Sequence, residues 1–158
     1  MLTTKDVQGV MAMMPAFSND EAGDLSAVST VAVDKLQSGV DRMINDGVDI
    51  ITTTGSFGEC YNLFWDEFKT IASATVEAAK KRVPVFIGST SPNPREVVQR
   101  LKFVQDVGGD GTLLGVPYYD AQSPASQRNG TCFQLPIHSR SKFRHPSTRQ
   151  ASFQSYLR

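Results

Sequence analysis

The segment Thr52 to Phe68 reads TTTGSFGECYNLFWDEF and sets Gly55, Ser56, Phe57 and Gly58 beside the carboxylate of Glu59. Glycine lets backbone N–H groups approach a ligand closely, so Gly55 to Gly58 could form a nest for a carboxylate or phosphate. Ser56 would add a hydroxyl. For an isolated GSFG the commoner outcome is a tight loop capped by local hydrogen bonds. Glu59 has the chemistry of a general base, and at a helix start it would also serve as a partner of the helix dipole. A second group stands at Tyr118 and Tyr119. A phenol there could relay a proton or close a pocket, and paired aromatics could instead cover a rim. Cys60 reads as a small buried residue, Phe57 as packing and Trp65 as a core anchor.

These residues need elements to hold them, and the first 120 residues supply an alternation. Val7 to Pro15 reads as a strand closed by a proline. Thr30 to Asp46 reads as a helix, with Val33, Leu36, Val40, Met43 and Ile44 on one face and Gly47 as its stop. Val48 to Thr54, VDIITTT, is β-branched and short, a buried strand. From Trp65 to Lys81 apolar residues recur at helical spacing. VPVFIGST, Val83 to Thr90, is a third strand, and Asn93 with Pro94 reads as the N-cap and first residue of a third helix. That helix carries Val97, Val98, Leu101, Val104 and Val107 on one face and ends at Gly108-Gly109. Gly111 to Pro117, GTLLGVP, is a fourth strand. The order β-α-β-α-β-α-β fits right-handed crossovers between parallel strands. A barrel and an open doubly wound sheet share this alternation, so periodicity leaves both open. No GxGxxG follows the first strand, which argues against a dinucleotide site.

Composition narrows the class. The chain has 158 residues, 40% of them hydrophobic, and balanced formal charge. That is enough for one globular domain and short of most eight-unit barrels. No apolar run reaches membrane-spanning length and the N-terminus lacks a signal-peptide pattern, so a cytoplasmic protein with no membrane partner is expected. Cys60 and Cys132 are too few and too far apart to imply a disulfide scaffold or a metal site. From Ala121 to Arg158 there are six basic residues and no Asp or Glu. This stretch is rich in Ser, Arg, Gln and Pro without helical or strand periodicity, and is expected to be a basic, low-order tail. A nucleic-acid partner is not expected, because no recognition module accompanies that charge.

Taken together, GSFGECYNLFWDEF resembles the G-[ST]-x-G-E-x-x-x-L loop of the dihydrodipicolinate synthase and N-acetylneuraminate lyase family, the pyruvate-dependent class I aldolases. VPVFIGSTSPNPREVV is similar to that family's third strand and following helix. Gly108-Gly109-Asp110-Gly111 through Tyr118-Tyr119 matches its GADG-(apolar)-PYY segment. The FGEC variant most resembles the branch containing trans-o-hydroxybenzylidenepyruvate hydratase-aldolase. The resemblance covers residues 1–120 and implies the N-terminal half of a TIM (β/α)8 barrel, about four βα units, with its site at the carboxyl ends of the strands. It implies lyase chemistry on pyruvate or another 2-keto acid through a Schiff base to a lysine, with no separate cofactor and no metal, in a homo-oligomer. Gly55, Ser56, Phe57 and Gly58 match the loop that binds the keto-acid carboxylate, Phe57 through its N–H alone. Ser56 and Tyr119 match a proton relay, Tyr119 reaching across a subunit interface. Phe64 departs from the family's usual helix-capping Thr.

After Asp120 the resemblance stops. The family places a tyrosine on strand five and the Schiff-base lysine on strand six, and neither Tyr156 nor Lys142 stands in such a context. The expectation is an incomplete, inactive chain; the alternative is a non-catalytic half-barrel assembly module. Back-translating from Lys142 and reading one nucleotide later permits N-F-D-I-R-L-P-D-K-L-A-F-K-V-I-S, an amphipathic, family-like sequence. Residues 121–158 are thus expected to come from a shifted reading frame. Genomic and transcript sequence across the codons for Tyr119 to Ser126 decides it.

Overall fold

The computed structural model describes residues 7–115 and 133–136. In chain order the elements are β1 (Met11–Met13), a short 3-10 turn (Asp20–Gly23), α1 (Val33–Asn45), β2 (Ile50–Thr53), α2 (Trp65–Ala79), β3 (Val85–Gly88), α3 (Pro94–Asp106), β4 (Gly111–Leu114) and β5 (Phe133–Pro136).

The expected caps are present at α3, where the Asn93 side chain accepts from Arg95 N–H at 3.0 Å and Pro94 opens the helix. This residue pair works because Asn satisfies an orphan N–H and proline has none to lose. Helix α2 starts differently. Phe64 occupies its N-cap and has no acceptor to offer; instead the Glu67 carboxylate reaches back to Phe64 N–H at 3.0 Å. This is the return half of a capping box: it satisfies the N-cap's own N–H, while the N3 N–H that a hydroxyl would take receives no side-chain cap. The strands are shorter than the sequence indicates, and the difference is largest at β1. Val10, inside the expected strand, is 60% exposed, because the ladder with β2 begins only at Met11–Ile50.

The sheet order is β1-β2-β3-β4-β5, with the first three pairings parallel. Each crossover therefore advances one strand in the same direction. An open doubly wound sheet reverses its order at a switch point, and no reversal occurs among the described strands. Sequential winding is the pattern of a barrel, so the observed order resolves what periodicity left open. Curvature agrees. A side chain at Gly55, above the tip of β2, would meet Met13 from β1 and, at 3.8 Å, Leu113 from β4. Side chains from both ends of the parallel set thus converge on one point over the concave face.

Register assigns the two faces, because directly paired residues of parallel strands point the same way. Ile51, Thr53, Val85, Ile87 and Thr112 face the helices. There Ile51, Val85 and Ile87 pack with Leu36 and Val40 of α1, Phe68, Ile71 and Ala72 of α2, and Val104 of α3. Ala72, Ala74, Ala78 and Ala79 keep α2 slim, so it seats closely between its neighbours. Ile50, Thr52 and Phe86 occupy the concave face and are buried.

One segment corrects the sequence reading. Phe133–Pro136, in the stretch expected to be irregular, pairs antiparallel with β4. The run F-Q-L alternates apolar and polar residues over too few positions to register as a strand, and it forms one because β4 offers a free edge. In a continuing barrel the neighbour of β4 would run parallel to it; here the chain returns in the opposite direction.

Candidate active site

The loop from Thr54 to Phe64 leaves the carboxyl end of β2, and its geometry begins with strain. Thr54 has φ of 49°, a left-handed value that a β-branched side chain resists. Two things hold it. Its Oγ1 donates to Gly88 O at 2.9 Å, and Gly88 lies so close that a Cβ there would overlap the Thr54 carbonyl. The loop then folds back on itself, and a Cβ at Gly58 would stand 2.6 Å from Thr54 N. Gly58 and Gly88 are glycine because backbone occupies the space a side chain would need.

Within the turn, Glu59 N–H donates to Ser56 O and Cys60 N–H to Gly55 O, each at 3.2 Å. The amides of Gly55, Ser56, Phe57 and Gly58 have no acceptor among the described residues. Four successive donors without a partner among the described residues stand at a strand tip, the kind of backbone nest that can accept an anion. Ser56 is exposed, and its hydroxyl also lacks a partner among these residues. Phe57, read from sequence as packing, is 65% exposed. The turn projects residues 56 and 57 outward from the strand tips, so no core surface is within reach. Glu59 takes a φ of 53° and is exposed, its carboxylate accepting from Asn62 Nδ2 at 3.3 Å. Tyr118 and Tyr119 lie outside the described residues, as do Cys132, Lys142 and Tyr156.

Beneath the loop lies a network that the sequence reading missed. Arg100, on α3, is 3% exposed. Its Nη1 donates to Thr90 O at 3.1 Å and to Cys60 O at 3.5 Å, while Nε and Nη2 donate to Glu96 Oε1 at 3.0 and 2.6 Å. Its guanidinium carbon sits 4.8 Å from the centre of the Phe68 ring. Glu96 also accepts from Ser91 Oγ at 2.7 Å. Burial raises the Glu96 carboxyl, but the Ser91 and Arg100 hydrogen bonds and the Arg100 charge outweigh it and leave it below the usual glutamate value. The signal was available: Val97, Arg100 and Val104 share one face of α3, and Glu96–Arg100 is an i,i+4 pair. Cys60 is buried as expected, and desolvation pushes its thiol up despite nearby Arg100, which disfavours a thiolate nucleophile.

Glu67 anchors the other side. It is 4% exposed and accepts from Thr30 N–H at 2.9 Å and Thr30 Oγ1 at 2.6 Å in addition to Phe64. Burial raises its carboxyl, and these hydrogen bonds bring it below the usual value. Near it a cavity of about 430 Å³ opens between the β1–α1 connection and the end of the β2–α2 loop, lined in part by Phe17, Leu25, Glu59, Asn62, Phe64 and Glu67. The cavity flanks the amide run and does not include Gly55 to Gly58. Among the described residues no cluster of His, Cys, Asp or Glu could hold a metal, and no helix is long and apolar enough to cross a membrane.

Comparison with known proteins finds relatives of the same fold over these residues. Trans-O-hydroxybenzylidenepyruvate hydratase-aldolase of Pseudomonas putida is 39% identical over 118 residues, covering 75% of this chain and 36% of that protein. 4-Hydroxy-tetrahydrodipicolinate synthase of Methanosphaerula palustris is 33% identical over 114 residues, covering 72% and 37%. Among solved structures, PhdJ bound to a substrate intermediate superposes with a TM-score of 0.77 at 34% identity, over 81% of this chain and 40% of that one. YagE of Escherichia coli K12, in complex with pyruvate, superposes with a TM-score of 0.69 at 27% identity, over 78% and 39%. The chain thus spans well under half the length of the relatives it matches. The model of the dihydrodipicolinate synthetase family matches residues 9–129, so the strand-tip loop and the winding of the sheet have one explanation: the chain belongs to that family.

Proposed function

We propose that this chain carries the carboxylate-binding part of a pyruvate-dependent lyase of the hydratase-aldolase kind. The observation that carries the reading is the run of amides from Gly55 to Gly58 without an acceptor among the described residues, at a strand tip beside the strained Thr54. A 2-keto acid presents a carboxylate and a carbonyl on adjacent carbons. Amide donors on the carboxylate would orient the carbonyl for attack by an amine, converting a bimolecular encounter into a positioned one. An iminium formed there would withdraw electrons from the carbon–carbon bond to be made or broken. Ser56, exposed beside the amides, would pass the proton, with Tyr119 as the next member of the relay across a subunit interface of a homo-oligomer. The amine is assigned to a lysine on a sixth strand, which the resemblance requires and which residues 1–120 do not supply; this chain alone would bind the keto acid without turning it over.

Borohydride trapping with pyruvate, read by intact mass beside a ligand-observed NMR titration, tests this. Binding without a covalent adduct is expected. An adduct would place a reactive lysine in this chain, and no binding at all would remove the keto-acid reading.

A second reading, a non-catalytic half-barrel that assembles with another copy, is favoured by the edge at β1. Among the described residues β1 pairs only with β2, and Val10 and Met11 are exposed along it. A strand at a sheet edge with exposed apolar side chains favours association. A concentration-dependent dimer that does not respond to pyruvate would support it.

A further inference from the structure

We propose that Arg100 is a positioning residue for the amide run: from the buried side of α3 it fixes where Gly55 to Gly58 stand. The inference rests on the keto-acid reading above only for its ligand consequence.

The path is short. Arg100 Nη1 donates to Cys60 O, and Cys60 N–H donates to Gly55 O. One residue, Cys60, thus joins the guanidinium to the first residue of the run through its own two backbone groups. The same Nη1 donates to Thr90 O beyond β3, and Thr90 Oγ1 accepts from Gly115 N–H at 2.8 Å beyond β4. A single cation therefore ties together the segments following β2 and β3, and Thr90 itself extends the link to the segment following β4. Its remaining donors engage Glu96, and the Phe68 ring covers its face, so the planar fork has little freedom to turn.

Burying a cation is costly, and apolar residues would fill the same space at least as stably. Packing alone does not account for the choice. Fixing carbonyls from two loops at once does, because a planar guanidinium presents several N–H groups in set directions. Lysine keeps the charge and loses that fork.

The test uses the full chain and three variants: Arg100→Lys, Glu96→Gln and, as a control for stability alone, Val40→Ala in the helix-side core. Backbone hydrogen exchange of Cys60 N–H, which reports the bond to Gly55, is read first and needs no ligand. Arg100→Lys is expected to speed it about tenfold, the loss of one charge-assisted hydrogen bond, with Glu96→Gln in the same direction. Val40→Ala is expected to leave it within about twofold at temperatures where the protein is folded. If Arg100→Lys does not fold, Glu96→Gln alone decides. Unchanged exchange in the Arg100 and Glu96 variants, or an equal rise in Val40→Ala, overturns the proposal. The pyruvate dissociation constant is read second, and should rise about tenfold in Arg100→Lys and not in Val40→Ala. Faster exchange with unchanged affinity would overturn the ligand consequence, whereas failure of the unmodified chain to bind pyruvate would sink the keto-acid reading and leave the exchange result to judge Arg100.

Discussion

The two ends of the parallel strands treat backbone amides differently. At the amino ends the protein supplies its own carboxylates. Asp49 Oδ2 accepts from Val10 N–H at 2.7 Å, and Asp110 Oδ2 accepts from Val85 N–H at 3.1 Å while Asp110 Oδ1 holds Lys81 at 3.2 Å. At the carboxyl ends the partly buried Glu96 is held by Arg100 and Ser91, and the buried Glu67 accepts from Thr30 and from Phe64 at the start of α2, away from the Gly55–Gly58 run. The four amides after β2 receive none among the described residues. One end is closed by intramolecular carboxylates, and the other is left with donors of the kind that would accept an external one. Left-handed backbone occurs at both ends, at Thr54 and Glu59 after β2 and at Lys80, Lys81 and the glycines Gly9, Gly47 and Gly108 ahead of the strands, so what separates the ends is the fate of the amides and not strain.

The largest effect should come from filling the close approach at the open end. Gly88→Ala places a methyl against the Thr54 carbonyl, and Thr54 cannot retreat because its own dihedral is already strained. A loss of about 3 kcal/mol in urea unfolding is expected, at the top of the overpacking range. Retention of native stability would mean that the Thr54 turn is not held as described.

Glu67→Gln should cost about 1–2 kcal/mol, because one amide oxygen cannot serve both Thr30 and Phe64. The pH dependence has a definite sign. A carboxyl whose folded value lies below its unfolded one stabilises above the unfolded value, near 4.3 for Glu. That contribution is lost as pH falls through the folded value. The difference between Glu67→Gln and the unmodified protein should thus be full at neutral pH and shrink below about pH 4. A difference that grows on acidification would contradict the assignment.

At the closed end, Asp110→Asn should cost about 1 kcal/mol, since Val85 N–H keeps an oxygen acceptor while the Lys81 charge loses its partner. It should leave pyruvate binding unchanged, which separates the two ends directly. Smallest of all, Lys81→Ala should shift stability by about 0.5 kcal/mol or less, the usual worth of an exposed ion pair.

Much of this was legible in the sequence, and the boundary has physical causes. Helix and strand periods, and the Asn93-Pro94 start of α3, are local signals and survive without tertiary information. The glycine loop was legible because glycine spacing reports backbone needs. Strand order was not, since a barrel and an open sheet demand the same local pattern. Arg100 escaped because a charged residue on a helix usually faces water, although its place between Val97 and Val104 marked the buried face. Phe57 was misread because an aromatic is usually buried, whereas a turn can present one to solvent. The bonds from Glu67 to Thr30 depended on where Thr30 lies after folding, which no local window contains, whereas its reach back to Phe64 is a local three-residue contact. β5 depended on the free edge of β4.

The central claim is that the amides from Gly55 to Gly58 await a keto-acid carboxylate. An amide-resolved NMR titration of the full chain with pyruvate tests it most directly, with lactate as the carboxylate lacking a carbonyl. The account predicts saturable shifts centred on Gly55, Ser56, Phe57 and Gly58, with none at Asp49 or Asp110. Shifts absent from those four residues, or confined to the amino ends of the strands, would contradict it.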